Sequence, residues 1–246
     1  MADRDSRALS FGSVATDYDR YRPGPPIEAL DWLLPPGAET VLDLAAGTGA
    51  VTRELIGRVP EVIAVEPDQR MLDIVAERCP EALGLVGRPE DIPLADASVD
   101  AVLISAAWHW LDPELAIPEI ARVLRPGGVL GVIWNHRDPS VPWITELNEL
   151  AAASREADRP AGGRNRTIEF PPDAPFSPIE THTVTWSLPM TREEIAGLLT
   201  TYSGVITLPP DQRDRLERNV REFLDRQPWT RTDVPMICRC LRTTRR

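Results

Sequence analysis

Val41-Leu42-Asp43-Leu44-Ala45-Ala46-Gly47-Thr48-Gly49-Ala50 reads as an apolar strand running into a turn of small residues, and Ala64-Val65-Glu66 closes a second apolar run with a carboxylate. Gly47 and Gly49 let the backbone turn left-handed and approach a ligand closely, while Ala45 and Ala46 add almost no bulk. Glu66, 17 residues beyond Gly49, stands where an acid accepts hydrogen bonds from two ribose hydroxyls. The stretch therefore has the physical form of a nucleoside-binding crossover between parallel strands.

The glycine spacing narrows the nucleoside. A dinucleotide fingerprint counted from Gly47 needs a small third residue at 52 and meets Thr52; counted from position 45, it begins with alanine. Asp43, inside the strand end, suits a ligand with a cationic centre better than a pyrophosphate. Further motifs follow in order: Glu66-Pro67-Asp68, Gly87-Arg88-Pro89-Glu90-Asp91-Ile92-Pro93-Leu94, Ala107-Trp108-His109-Trp110 and Arg122-Val123-Leu124-Arg125-Pro126-Gly127-Gly128. Together with Asp43 to Gly49 they resemble the class I S-adenosylmethionine-dependent methyltransferases, in the methyltransferase type 11 and trans-aconitate methyltransferase-like branch. The resemblance implies an α/β fold: a Rossmann-like seven-stranded methyltransferase sheet, mostly parallel with an antiparallel last strand. It further implies helices on both faces, a small cap, an N-terminal lid and S-adenosyl-L-methionine as cofactor.

Composition sets outer limits. A chain of 246 residues with 42% hydrophobic content can bury one large core plus a small appended lobe. No apolar run approaches the length of a membrane span, and Met1-Ala2-Asp3-Arg4-Asp5 has no apolar stretch behind it, so no signal peptide and a cytoplasmic location are expected. Cys79, Cys238 and Cys240 read as buried thiols rather than a zinc site, because no second pair or histidine cluster accompanies them. All 27 basic residues are arginine, which excludes lysine Schiff-base chemistry and lysine phosphate loops. A net charge of −11 opposes the counterion release that drives nucleic-acid binding, so the expected partner is a small molecule, with no nucleic acid and no membrane. The acids show no convergent pattern for a metal, and nothing in the chain fixes an oligomeric state.

Strands are expected near 39–44, 61–66, 82–86, 99–104 and 128–134, alternating with helices near 25–34, 49–58, 68–78 and 113–124. Asp68 and Asp112 are suitable N-caps, and Gly127-Gly128 is expected to end the last of these helices. The link 87–98 is too short for a helix. A polar helix near 142–157 leads into a Gly162-Gly163 turn and a proline-dense stretch, 171–178. Thr181 to Trp186 alternates as a strand, Thr191-Arg192-Glu193-Glu194 opens the first of two helices as a capping box, and Pro235 to Leu241 reads as the last strand. The organisation expected is a lid at 1–24, a cofactor-binding core at 25–137, a cap excursion at 138–178, and C-terminal strands and helices completing the core at 179–246.

On the resemblance, Asp43 reaches the methionine amine, with capping of the turn's amides as the alternative, and Ala45, Gly47, Thr48 and Gly49 form the loop around it. Pro67 and Met71 flank adenine beyond Glu66. Where the family often carries an acid, this chain has Arg88, and Pro89 lacks an amide hydrogen; the adenine contact therefore moves to Glu90 and Asp91, Glu90 being equally readable as a solvated acid. Ser105 and Ala106 lead from the fourth strand to Trp108, His109 and Trp110. Trp110 resembles a tryptophan that points its indole N–H at a substrate acid in related carboxyl methyltransferases, and His109 reads either as a general base or as a loop-fixing side chain. Trp134 and Asn135 follow the fifth strand; Trp134 reads as core or as substrate lining. Tyr18 and Arg22 lie four apart in a segment resembling the lid helix, where Arg22 would hold the methionine carboxylate or form a surface salt bridge. Pro25 replaces an aromatic often found after Pro-Gly in the family.

The reading that follows is an S-adenosylmethionine-dependent methyltransferase acting on a small molecule, most readily at oxygen, with a carboxylate preferred over a hydroxyl because an acid needs no strong base. Two rivals stand beside it. One is an enzyme that uses the same cofactor for cyclisation or rearrangement, the other a non-catalytic cofactor-binding protein.

Overall fold

The computed structural model describes residues 15–153, 168, 170–171 and 173–246. Its sheet has seven strands: β1 (Thr40–Leu44), β2 (Glu61–Glu66), β3 (Leu83–Val86), β4 (Val99–Ser105), β5 (Leu124–Arg137), β6 (Glu180–Thr191) and β7 (Arg231–Thr244). They lie in the order β3-β2-β1-β4-β5-β7-β6. The first five run parallel. Bonds from Gly127 N to Arg245 O and from Asp138 N to Pro235 O show β7 antiparallel to β5. Helices α1 (Ala15–Tyr21), α2 (Ile27–Leu33), α3 (Ala50–Leu55), α4 (Gln69–Arg78), α5 (Pro113–Val123), α6 (Pro142–Ala153), α7 (Arg192–Thr200), α8 (Ser203–Ile206) and α9 (Pro210–Asp225) complete the order. No described helix is long and apolar enough to cross a membrane.

The sequence accounts for these elements locally. Every residue of β1 is buried, as expected of a central parallel strand covered on both faces. Asp68 and Asp112 cap α4 and α5 by accepting from the amides two residues on. Thr191 and Glu194 form a reciprocal capping box at the start of α7. The apolar positions Leu216, Val220, Phe223 and Leu224 recur at helical spacing and are the buried face of α9.

The chain divides into two compact units. One takes its described residues from 1–22, 136–165 and 185–237, the other from 23–135, 166–184 and 238–246. The second holds the apolar core on the parallel strands, with Leu42, Leu44, Ile104, Ile117 and Ile120 nearly or wholly excluded from solvent. In the same unit Gly131 lets helix and sheet meet: a Cβ there would stand 2.7 Å from Leu103 Cδ2 and 2.9 Å from Leu33 Cδ2. In the first unit, α6, α7 and α9 bury their own cluster around Ile144, Leu147, Ile195, Leu198 and Phe223. There Gly197 faces the Tyr21 ring so closely that a Cβ would fall 2.4 Å from Cζ.

Three expectations need revision. Gly127-Gly128 does not end a helix: α5 stops at Val123, and the glycines lie inside β5, where Gly127 has φ +80° and the β4 register shifts between Val99 and Ala101. A left-handed glycine there makes an irregularity that is still strand, because its flanking groups pair with Arg245. β5 consequently runs from 124 to 137 rather than 128 to 134. The C-terminal region carries a third short helix, α8, between the two that were expected. Gly162-Gly163 lies outside the described residues.

Candidate active site

β1 delivers Asp43 to the loop with its carboxylate already committed on one side. Oδ2 accepts from Thr52 N at 2.9 Å and from Thr52 Oγ1 at 2.7 Å, while buried Oδ1 has no hydrogen-bond partner among the described residues. Thr52, the residue that spoils a dinucleotide fingerprint, is thus the anchor that aims Asp43. Burial raises the Asp43 carboxyl to about 6, against the lowering effect of the two Thr52 bonds. The loop beyond it turns left-handed at Ala45 (φ 57°), Gly47 (φ 59°) and Gly49 (φ 82°). For Ala45 that conformation is strained by roughly 1–2 kcal/mol. Thr48 is buried, and its hydroxyl likewise has no hydrogen-bond partner among the described residues.

Glu66 ends β2 beside this loop. Its Oε2 accepts from Gly47 N at 3.0 Å and its Oε1 from Asp68 N at 3.1 Å, tying the two strand ends together. Burial pushes its carboxyl up to about 7; the two backbone donors lower it, and the charges of Asp68 and Asp43 add to the rise. A carboxylate offers about four acceptor positions, so each oxygen retains capacity for a ligand hydroxyl. Pro67 is half-buried and Met71, in the first turn of α4, is buried.

The 87–94 segment is held by groups that spacing alone did not reveal. Glu119 Oε2 accepts from Ile92 N at 3.0 Å, and the Arg122 guanidinium donates to Ile92 O and Leu94 O at 2.9 and 2.7 Å while pairing with Glu119 and Asp96. Glu90 is a positioning acid, with Oε1 accepting from Asp112 N at 2.9 Å. Asp91 is exposed, and its amide donates to Arg88 O at 3.0 Å in a tight turn. The Glu119 to Arg122 spacing of three was the available signal for this clamp.

At the end of β4, which neighbours β1, Ser105 leads to Ala106 with φ 55°. Two adjacent strands therefore end on left-handed alanines, and the order reverses between them, which is where an open parallel sheet forms its ligand crevice. The turn Trp108–Trp110 separates three aromatic roles. Trp108 is buried in the apolar core, with its ring edge-on to Phe170 at 6.3 Å. His109 is exposed and Trp110 half-buried, their rings 4.8 Å apart. On β5, Trp134 is also a core side chain, whereas Asn135 donates to Gly24 O at 3.2 Å and leaves buried Oδ1 without a partner.

Tyr18 and Arg22 fall in the other unit. Arg22 donates through Nε and Nη2 to Thr201 Oγ1 and O at 2.9 and 3.1 Å, and its guanidinium lies 5.0 Å from the Tyr18 ring centre and 4.5 Å from that of Tyr202.

A parallel sheet with its switch point between β1 and β4, a small-residue loop after β1 and an acid ending β2 define a class I, Rossmann-like methyltransferase. Residues 42–132 match the family described as methyltransferase domain. The chain is 42% identical over 245 residues to an uncharacterized methyltransferase of Mycobacterium tuberculosis, covering 98% of each. It belongs to this family and is an S-adenosylmethionine-dependent methyltransferase. A malonyl-[acyl-carrier protein] O-methyltransferase of Methylococcus capsulatus is 37% identical over 133 residues, covering 50% of this chain and 48% of the relative. In fold, the chain is similar to the solved structure of a candidate type II methyltransferase from Anaeromyxobacter dehalogenans, with TM-score 0.65, 24% identity, and coverage of 92% of this chain and 98% of that one.

Proposed function

We propose that the chain transfers the methyl group of S-adenosyl-L-methionine to an oxygen of a small molecule, a carboxylate in preference to a hydroxyl. The observation that carries the cofactor reading is the pair of buried oxygens without partners, Asp43 Oδ1 and Thr48 Oγ1, beside an acid with spare acceptor capacity. An isolated buried acceptor is costly, and a cationic amine relieves that cost for Asp43. These residues suit the methionine end of the cofactor, Glu66 suits the ribose hydroxyls, and Pro67, Met71 and the Glu90–Asp91 backbone suit adenine. Ser105 and Ala106 belong to the same set.

The bound cofactor supplies an electrophilic methyl group on sulfur, and transfer is an in-line displacement by the acceptor oxygen. The chain's own contribution is alignment and exclusion of water. Trp110 is the indole assigned to an acceptor acid, and His109, its ring 4.8 Å away, is the imidazole beside it. Trp108 and Trp134, as core side chains, shape the surroundings without serving as donors, and Asn135 offers an acceptor through Oδ1. The carboxylate preference is supported by the chemistry of an acid, ionised without a base at neutral pH, and by the O-methylation named for the Methylococcus relative.

The test is a panel of carboxylic acids and phenols, with spent cofactor measured as product. For a carboxylate acceptor, Trp110→Phe raises KM while His109→Ala leaves a rate that is flat with pH above the acid's own pKa. A drop of about 10²–10⁴-fold in His109→Ala, with loss of a pH dependence near neutrality, would assign a hydroxyl acceptor instead.

A further inference from the structure

Arg137, the last residue of β5, is 7% exposed, yet among the described residues its guanidinium makes a single hydrogen bond, from Nη2 to Asn148 Oδ1 at 2.7 Å. Both remaining nitrogens, Nε and Nη1, are buried and have no hydrogen-bond partner among the described residues. Among the described residues no carboxylate pairs with it. Its central carbon lies 5.5 Å from the centre of the Tyr202 ring, the ring that also receives Arg22 at 4.5 Å. Two cations thus share one aromatic neighbour, and Arg22 is turned to Thr201 by two hydrogen bonds. The ordinary companion of a buried guanidinium is an anion, because a buried charge without one is strongly unfavourable.

We infer that Arg137 is an anion-binding residue and that Arg137, Asn148 and Tyr202 form a site for a small organic carboxylate, held by the guanidinium N–H groups that Asn148 leaves open. Nη2 carries two hydrogens and gives one to Asn148; the other, with the N–H of the nitrogen that shares its edge, forms the fork that matches the two oxygens of a carboxylate. Tyr202 covers the guanidinium with an aromatic surface, and Asn148 fixes its rotation. The choice of a carboxylate over other oxyanions rests on the reading of the acceptor proposed above; the orphaned fork itself does not.

The test uses the full chain labelled with 15N-arginine, with the Arg137 Nε signal assigned by its loss in Arg137→Lys. Succinate and inorganic phosphate are titrated separately against sodium chloride at matched ionic strength. A saturable displacement of that signal by succinate is the expected result. Asn148→Asp places a fixed carboxylate on Arg137 with almost no change in shape. It is expected to lower succinate affinity at least tenfold without lowering the melting temperature, and Arg137→Gln to lower it to a similar extent. Absence of a saturable displacement, a response to phosphate alone, or unchanged succinate affinity in Asn148→Asp would each overturn the assignment. Spent-cofactor affinity, measured by calorimetry in the same samples, is expected to be the same in wild type and Asn148→Asp. If spent cofactor does not bind wild type while succinate does, the cofactor reading fails and the anion site stands.

Discussion

Asp43→Asn isolates the energetic consequence of burying a carboxylate under the loop. The amide carbonyl can keep both Thr52 bonds, and the amide nitrogen then occupies the place of Oδ1, which has no partner to lose. An unsatisfied amide N–H₂ costs about 1–3 kcal/mol, but that cost does not vary with pH. The wild-type cost does. Below the ordinary value of 3.8 the carboxyl is protonated in the folded and unfolded chains alike and contributes nothing. Between 3.8 and about 6 the unfolded chain gives up its proton while the folded chain keeps it, so wild-type stability falls as pH rises and remains low above that window. At 1.36 kcal/mol per pKa unit, the full loss is roughly 3 kcal/mol, and about 2 kcal/mol of it falls between about pH 4.5 and about pH 7.5. The stability of Asp43→Asn relative to wild type should therefore rise by about 2 kcal/mol over that interval, equivalent to about 4–8 °C in Tm for a chain of this size. Urea denaturation of both proteins across the range measures the difference directly; groups remote from Asp43 cancel, while Glu66, whose carboxyl the Asp43 charge helps to raise, adds to the rise in the same direction. A difference constant with pH would refute the argument that ionised Asp43 is a burden on the folded chain.

Thr52→Val should cost about 1.5–3 kcal/mol at neutral pH, because it removes the 2.7 Å hydroxyl bond to a charged acceptor while leaving the amide bond; urea denaturation checks it, and full stability would remove Thr52 as the anchor. Ala106→Val should destabilise by about 1–3 kcal/mol, since a β-branched residue at φ 55° is far less tolerated than alanine, whereas Ala106→Gly should stay within about 1 kcal/mol of wild type. Affinity for spent cofactor should rise with pH up to the Glu66 value of about 7 and then level, because ribose hydroxyls donate to the ionised acid. Calorimetry on Glu66→Gln should show weaker binding, with the rise ending near the Asp43 value of about 6 instead.

How far the sequence reached depended on the kind of residue. The crossover was legible because Gly47, Gly49 and Glu66 do work that few other residues can do, and local spacing encodes it. Asp68, Asp112 and Thr191 were legible for the same reason, as caps act within a single turn. Trp108 and Trp134 were not, because an indole beside a strand end serves as core or as lining according to what packs on it, and Phe170 is distant in the chain. Gly127-Gly128 misled for a related reason: a left-handed glycine closes a helix or bulges a strand depending on the partner, which here is Arg245. Thr52 was visible only as a departure from one fingerprint; its positive role needs the contact with Asp43. Arg137 stood in the sequence as an arginine after an apolar run, and only burial reveals an unanswered fork.

Gly197 gives the experimenter a handle of unusual economy. A side chain as small as a methyl group would occupy the space of the Tyr21 ring, whose atoms lie 2.4–2.6 Å from where that carbon would be. Gly197→Ala should thus eject one aromatic anchor and loosen α1 while the chain keeps its full length, its charge and the capping box of α7. Amide exchange faster by about tenfold or more in α1 than in α9 would report that release. The contribution of α1 to turnover could then be titrated by a single carbon atom, free of the ambiguities that accompany cutting the chain.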